Sequence, residues 1–329
     1  VPFGALVISL DFEIHWGVRE LTRPQGSYEP NLRGVWSAVP RMLALFREFD
    51  IAATWATVGF LFARSREEMS QFAPAFKPAY ADPVLNPYQE PVGNGEADDP
   101  FHFAPALIQQ IRTTPRQEIA THTFSHYYCV EPGQTRDSFR ADLMSALAIA
   151  RSRGLEIQSI AFPGNQHNAG YDDIVASVGL KTYRGTQQFW MYSTSRLSGQ
   201  TYTKRAARLF DGFFNLRGDH TIGWDDMWNG GPLCNVQAGF FLRPTRPVLW
   251  RRPLRWLQFH RIAPSIRRAA REHRVIHLWW HPHNFGRHVE ANIAQLRDLL
   301  EVYAKCRERF GMRSMSMAEA AACARGEAV

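Results

Sequence analysis

The sequence predicts an α/β fold, a (β/α) barrel formed as one domain over residues 1–329, and three observations predict it. Short apolar runs alternate with amphipathic stretches in the order strand, helix, strand, which implies parallel βαβ units. Residues suited to chemistry stand at the C-terminal ends of several strands, where barrel active sites are built, and this favours a barrel over a doubly wound sheet. The length would allow two domains, yet α/β barrels commonly reach about 250 residues as one unit, and no internal repeat or low-complexity tract divides the chain.

Residues 5–10 form a continuous apolar run, as in a strand buried on both faces. Trp36, Val39, Leu43, Phe46 and Phe49 recur at helical spacing over 35–49, with Pro40 in the first turn. The next strand covers 51–58. Residues 64–105 carry recurrent prolines, from Pro74 to Pro105, and the breaker Gly93-Asn94-Gly95-Glu96; they read as a loop-rich insertion over one end of the sheet. Strands follow at 117–121, 159–162, 180–183 and 275–279, and helices at 136–153, 171–178 and 291–310, the last stopped by Gly311.

Bulk properties narrow the class further. Hydrophobic residues make up 45% of the chain, and no apolar run approaches the roughly 18–20 residues of a membrane span. Val1-Pro2-Phe3-Gly4 shows no charged n-region or cleavage site, so a cytoplasmic protein is expected, with a targeting segment before Val1 left open. Cys129, Cys234, Cys306 and Cys323 form no CxxC pair and read as reduced thiols. The formal charge of +7 is uneven: residues 243–274 hold many arginines and one acid, Glu272. Arginines there alternate with apolar residues such as Trp250, Trp256 and Phe259. Three readings are open: an amphipathic helix packed on the barrel with Pro244, Pro247, Pro253 and Pro264 breaking any long helix, a peripheral contact with an anionic membrane face, or a contact with a phosphate-bearing nucleotide sugar without any membrane. No nucleic-acid partner is expected.

Four strand ends carry candidate chemistry. After the first strand come Asp11 and Glu13, which as i and i+2 point to the same side; two such carboxylates repel unless a cation or proton lies between them. After the strand at 117–121 comes His122-Thr123-Phe124-Ser125-His126, whose histidines would share one face of a helical turn and one metal. His277-Leu278-Trp279-Trp280-His281-Pro282-His283-Asn284 closes the last strand, and Phe162-Pro163-Gly164-Asn165 forms a compact polar turn. Each segment alone has a bland reading, as a solvated turn, surface histidines or core aromatics. Together they fall in the order one shared site needs. Two histidines and a carboxylate make a common hydrolytic metal set, for which zinc is the default ion and other divalent ions also fit.

These motifs resemble the polysaccharide deacetylases of the NodB-homology type, carbohydrate esterase family four, in the branch that accompanies surface-polysaccharide biosynthesis. The matching segments are Leu10-Asp11-Phe12-Glu13, His122-Thr123-Phe124-Ser125-His126, Phe162-Pro163-Gly164-Asn165 and Leu278-Trp279-Trp280-His281-Pro282, and the likeness runs from about residue 6 to about 315. The resemblance implies a distorted (β/α) barrel of about seven parallel strands. It implies one divalent metal on Glu13, His122 and His126, Asp11 as general base and His281 as general acid, with His283 the runner-up. Two departures stand out. Glu13 occupies a place where the family usually has Asp, and the third motif lacks its Arg, for which Arg184 is the substitute from a neighbouring strand end.

The reaction so implied is loss of an N-acetyl group from an amino-sugar unit of a surface glycan or its precursor, whether nucleotide-linked, lipid-linked or part of an oligosaccharide. A backbone N–H near Asn165 is expected at the oxyanion, and Trp16, Trp279 or Trp280 against the sugar face, with Trp280 the first choice. Two alternatives remain: a metal-dependent amidase acting on a non-sugar amide, and a non-catalytic glycan- or lipid-binding relative, which the missing local Arg would favour.

Overall fold

The computed structural model describes residues 1–187, 189–193, 195–216, 218–228, 230–245 and 252–327. The elements run β1 (Ala5–Phe12), α1 (Glu29–Phe49), β2 (Ala53–Thr57), α2 (Arg66–Phe72), α3 (Pro105–Thr113), β3 (Gln117–Thr121), α4 (Arg136–Ser152), β4 (Ser159–Ala161), α5 (Asp172–Ser177) and β5 (Thr182–Arg184). They continue with α6 (Tyr202–Asp211), β6 (Thr221–Ile222), β7 (Cys234–Asn235), β8 (Phe240–Phe241), α7 (Arg252–Arg271), β9 (Val275–Trp280), α8 (Pro282–Gly286), α9 (Val289–Phe310), β10 (Arg313–Met315) and α10 (Met317–Ala324).

β9, β1, β2, β3, β4 and β5 lie side by side and parallel. Residues 234–242 then carry the sheet round on itself. Their first half bonds to β5, through Val236 N–H to Tyr183 O and Ala238 N–H to Gly185 O. Their second half bonds to β9, through Gly239 N–H to His277 O and Leu242 N–H to Trp279 O. Counting β7 and β8 as that one bent segment gives seven parallel staves among the described residues, one more than the strands read from the sequence and the number the family resemblance implies. β6, antiparallel, and β10, parallel, are short additions at the bottom of β9 and β1.

Side-chain alternation separates two interiors. Leu6, Ile8, Leu10 and Phe12 face outward into the main apolar core under the helices, with Trp55, Phe46, Phe139 and Leu300. The opposite face of the sheet, inside the barrel, is apolar at its base, where Ala5, Val7, Val236 and Val275 pack with Trp224 and Met227, and polar toward the rim at Ser9, Asp11 and His277. Asp11 pairs in register with Ala56, Ala56 with Ala120, and Ala161 with Arg184. Ala56, Ala120 and Ala161 form a buried cluster of small side chains. They leave room for the long Arg184 side chain to cross the barrel.

Three local expectations change. The first helix begins at Glu29, not 35, with Pro30 in its opening turn where no N–H is needed, and it runs through Pro40 because burial of Val35, Val39, Met42, Leu43 and Phe46 outweighs one lost bond. The insertion at 64–105 contains the helix α2, capped by the Ser65 side chain. The prolines do not break the arginine-rich segment either. α7 continues through Pro264 for 20 residues, its buried face of Ile262, Ala263, Ile266, Ala269 and Ala270 packed on the barrel and α9. Its charge excess is partly answered from outside the segment, by Asp298 2.5 Å from Arg255 and Asp219 2.7 Å from Arg268. Residues 246–251 of that segment, including Trp250, lie outside the described residues. No helix among the described residues is long and apolar enough to cross a membrane.

Candidate active site

The parallel strands bring their C-terminal ends to one rim, and the candidate residues meet there. Asp11 and Glu13 leave β1 on the barrel side. Arg184, at the end of β5, donates to both Asp11 carboxylate oxygens at 2.6 and 2.7 Å and to Ser9 Oγ at 3.0 Å. Burial alone would raise the Asp11 carboxyl, but the Arg184 guanidinium, aided by nearby histidines, holds it below its ordinary value. Arg184 is thus the arginine that stands on Asp11, from the end of a different strand.

Behind this pair is a directional chain the sequence did not reveal. His277 donates from Nδ1 to Val236 O at 3.0 Å, so its Nε2 accepts the Ser9 hydroxyl at 2.8 Å. Ser9 is then free to accept from Arg184. Burial, with the Arg184 charge, pushes His277 down to about 3, so it stays the neutral acceptor this chain requires.

Glu13 faces the two histidines that follow β3. Its Oε2 lies 3.3 Å from His122 Nε2 and 3.1 Å from His126 Nε2. His122 is oriented from behind, donating Nδ1–H to Ala161 O at 2.7 Å. That leaves the Nε2 lone pair buried without a hydrogen-bond partner and aimed at a carboxylate. A cation fits such a donor set, and an outer-shell carbonyl on the distal nitrogen is the usual mark of a metal-binding histidine. Glu13 itself is held well below its ordinary value: burial opposes this, and the charge of His281 with the contacts from His122 and His126 overcomes it. Gly17 is required beside it, because a Cβ there would stand 1.9 Å from the Glu13 carboxyl carbon.

The histidine pair does not sit on a helical turn, as the spacing suggested. Residues 122–126 are a loop in which Thr123 (φ 62°) and His126 (φ 58°) take left-handed backbone. Ile14 (φ 48°) and Asn165 (φ 54°) do the same at the same rim. For the β-branched Ile14 and Thr123 this is costly, of order 1–3 kcal/mol each, and it persists because the surroundings fix it. Asp142 of α4 pins the His122 loop by accepting Phe124 N–H at 2.7 Å and the Ser125 hydroxyl. Burial pushes Asp142 up to about 6 despite those bonds.

His281 completes the rim, its Nε2 3.6 Å from Asp11 and 3.4 Å from Glu13. Tyr28 donates to Asn284 Oδ1 at 2.7 Å, which turns the Asn284 amide N–H toward His281 Nδ1 at 3.2 Å. The ring proton of neutral His281 therefore sits on Nε2, facing the carboxylates. His283 stacks on His281 with ring centres 5.2 Å apart and is buried, which pushes it down to about 3.

Two expectations fail. Trp280 is fully buried and stacks on Phe285 of α8, and Trp16 is equally enclosed against Phe60. Strand alternation explains the first: His277 faces inward, so Trp279 does too and Trp280 points into the helix layer. Trp279 lines the mouth, with the Arg184 guanidinium 4.5 Å over its ring. Nor is the Asn165 N–H available to an oxyanion, since it donates to Phe162 O at 2.9 Å; the Asn165 side chain instead accepts from Arg184 at 3.3 Å.

No family model and no curated protein matches this sequence. Solved structures do match its fold. A candidate polysaccharide deacetylase from Mycobacterium smegmatis superposes with a TM-score of 0.57 at 14% identity, covering 99% of this chain and 92% of that one. One from Pseudomonas aeruginosa PAO1 gives 0.56 at 12%, covering 96% and 89%. An allantoinase gives 0.52 at 14%, covering 96% and 88%. The fold is that of the polysaccharide deacetylases.

Proposed function

We propose that the chain is a metal-dependent deacetylase that hydrolyses the N-acetyl group of an amino-sugar unit of a surface glycan or its precursor. One observation carries this reading. A carboxylate clamped by an arginine, a histidine with its proton turned inward, and a carboxylate–histidine set with an orphaned lone pair converge on one rim. Amide hydrolysis needs a base, an acid and an electrophile in that proximity.

Glu13, His122 and His126 would hold one divalent ion, zinc by default, which when bound supplies Lewis-acid polarisation of the acetamide and acidifies water. Asp11 accepts the proton of the attacking water. Arg184 keeps Asp11 ionised and fixed in direction, with Ser9 and His277 behind it. As the imidazolium, His281 gives its Nε2 proton to the departing amine and is left neutral. The products are acetate and a free amino sugar. Trp279 offers the apolar face against which the sugar ring rests.

The likeness to an allantoinase supports a second reading, hydrolysis of a non-sugar amide by the same groups. Acetate release from N-acetylhexosamine derivatives, measured beside ring opening of a cyclic amide, separates the two. Turnover of the cyclic amide alone would replace the sugar reading. The non-catalytic alternative loses its main ground once Arg184 stands on Asp11. A cytoplasmic location belongs to this proposal, with residues 243–274 at the inner membrane face if the sugar is carried on a lipid.

A further inference from the structure

Beside His281 the rim opens into a cavity of about 310 Å³, walled by Phe240, Phe241 and Trp279 and closed on its far side by Arg205, Arg208 and Arg243. Ligand sites span about 300–1,000 Å³, so this one suits a single sugar ring with a short substituent better than a polymer. Its charge is one-sided. Arg208 donates to Gln200 at 2.6 Å and Arg243 to the Arg208 backbone carbonyl at 3.1 Å, both neutral acceptors. The Arg243 Nε–H is buried with no hydrogen-bond partner.

Among the described residues none of the three arginines is paired with a carboxylate. The acids of this flank are engaged elsewhere. Asp211 pairs with His220 at 2.8 Å and accepts from Tyr192 at 2.7 Å, and Asp219 pairs with Arg268 at 2.7 Å. Burial, opposed by Tyr192 and reinforced by the neighbouring arginine in each case, pushes Arg208 and Arg243 down from their ordinary values. Partly buried charges left unpaired are costly, and a bound anion would offset that cost. Several guanidiniums suit phosphate, which has more oxygens and more charge than a carboxylate.

We infer that this cavity is an anion subsite, in which Arg208 and Arg243, with Arg205 at the rim, hold a phosphoryl group carried by the amino sugar. The inference rests on the deacetylase reading for the position of the acetamide, at Glu13 and His281. It does not depend on that reading for the binding of phosphate. The phosphoryl group has two possible sources, a nucleoside diphosphate or a polyprenyl phosphate, with the same chemistry at the arginines.

The test compares acetate release from N-acetylhexosamine 1-phosphate and from its neutral methyl glycoside, in wild type, Arg243→Gln and Arg208→Gln. Pyrophosphate binding is measured by calorimetry on the same proteins. Loss of one charge-assisted bond corresponds to about 10–100-fold. The expected result is a kcat/KM ratio of phosphorylated to neutral sugar of that size or more in wild type. That ratio should collapse in each variant, along with pyrophosphate affinity. Equal rates on both sugars with no pyrophosphate binding would overturn the subsite and leave the deacetylase reading standing. Pyrophosphate binding lost in Arg243→Gln without acetate release from any sugar would keep the subsite and remove that reading. A nucleoside diphosphate-linked sugar and a polyprenyl phosphate-linked sugar in micelles form the last arms. The faster one identifies the carrier, and rates on both no better than on the neutral glycoside overturn the proposal.

Discussion

Three groups of two histidines and a carboxylate grow from the same loop after β1 among the described residues: Glu13 with His122 and His126, Glu13 again with His281 and His283, and His15 with Glu90 and His102; the first and last make the comparison. In composition they are alike. They differ in what each ring nitrogen meets. His15 Nε2 donates to Thr22 O at 2.9 Å, its Nδ1 lies 2.8 Å from His102 Nε2, and the other His102 nitrogen lies 2.7 Å from Asp99 Oδ2. That group is closed on itself and ties the 64–105 insertion to the end of β1. The Glu13 group is open: His122 Nε2, 3.3 Å from Glu13, is buried without a hydrogen-bond partner. A donor set therefore becomes a candidate metal centre through an unanswered lone pair, not through its residue types.

Breaking the open group should have the largest effect. Glu13→Gln is expected to lower turnover by more than the roughly 10–100-fold that follows loss of an outer-shell partner, whereas Glu90→Gln should stay within a few-fold in the same assay. The base and acid come next. Asp11→Asn should retain metal and lose about 10²–10⁴ in kcat with the acidic limb of the pH–rate profile, and His281→Ala a similar amount with the basic limb. His283→Ala, run beside it, should keep both limbs; loss of metal in Asp11→Asn would make Asp11 a ligand. Arg184→Met leaves the Asp11 charge buried and unpaired, so unfolding free energy should fall by about 3–5 kcal/mol and the acidic limb should move to higher pH.

Breaking the closed group should register in stability alone. His102→Ala strands the inner nitrogen of His15 and one Asp99 oxygen, for a loss of about 1–3 kcal/mol in denaturant unfolding without loss of metal. The group also has a pH signature. Burial pushes His15 down to about 4, against an ordinary value near 6.5, with the Thr22 bond pulling the other way. A histidine so depressed adds stability above about pH 6.5 that is lost as pH falls toward 4, on the order of 3 kcal/mol at most. The slope of stability against pH in that window should be shallower in His15→Gln; an unchanged slope would mean that His15 is not the titrating group. The smallest effect expected is from Asn165→Gly, which relieves a left-handed φ and should gain about 1 kcal/mol in stability while loosening Arg184.

How much of this was legible in the sequence follows from how local each signal is. β1 and β9 announced themselves because their apolar runs and terminal polar residues are both local. β6, β7 and β8 passed unread: each is two residues long, and β7 and β8 exist through bonds to β5 and β9 that no local pattern records. In the site, Asp11, Glu13, His122, His126 and His281 were found as strand-end polar residues, and the structure gathers them at one rim. Arg184 was found by asking what replaced a missing arginine. Ser9 and Asp142 were not singled out, and His277 and Asn284 stood in a candidate segment without a role, since their roles are set by partners at least 17 residues away, or by an orientation set from a remote tyrosine. Trp280 was misplaced because two adjacent tryptophans at a strand end look equivalent until the inward face of His277 fixes which one enters the barrel.

The central claim is that one divalent ion is held by Glu13, His122 and His126 and none by the closed group. Elemental analysis of the purified wild type, His122→Ala and His102→Ala tests it directly. The account predicts one ion per chain in wild type and in His102→Ala, and none in a folded His122→Ala. Full occupancy in His122→Ala, or its loss in a folded His102→Ala, would contradict it.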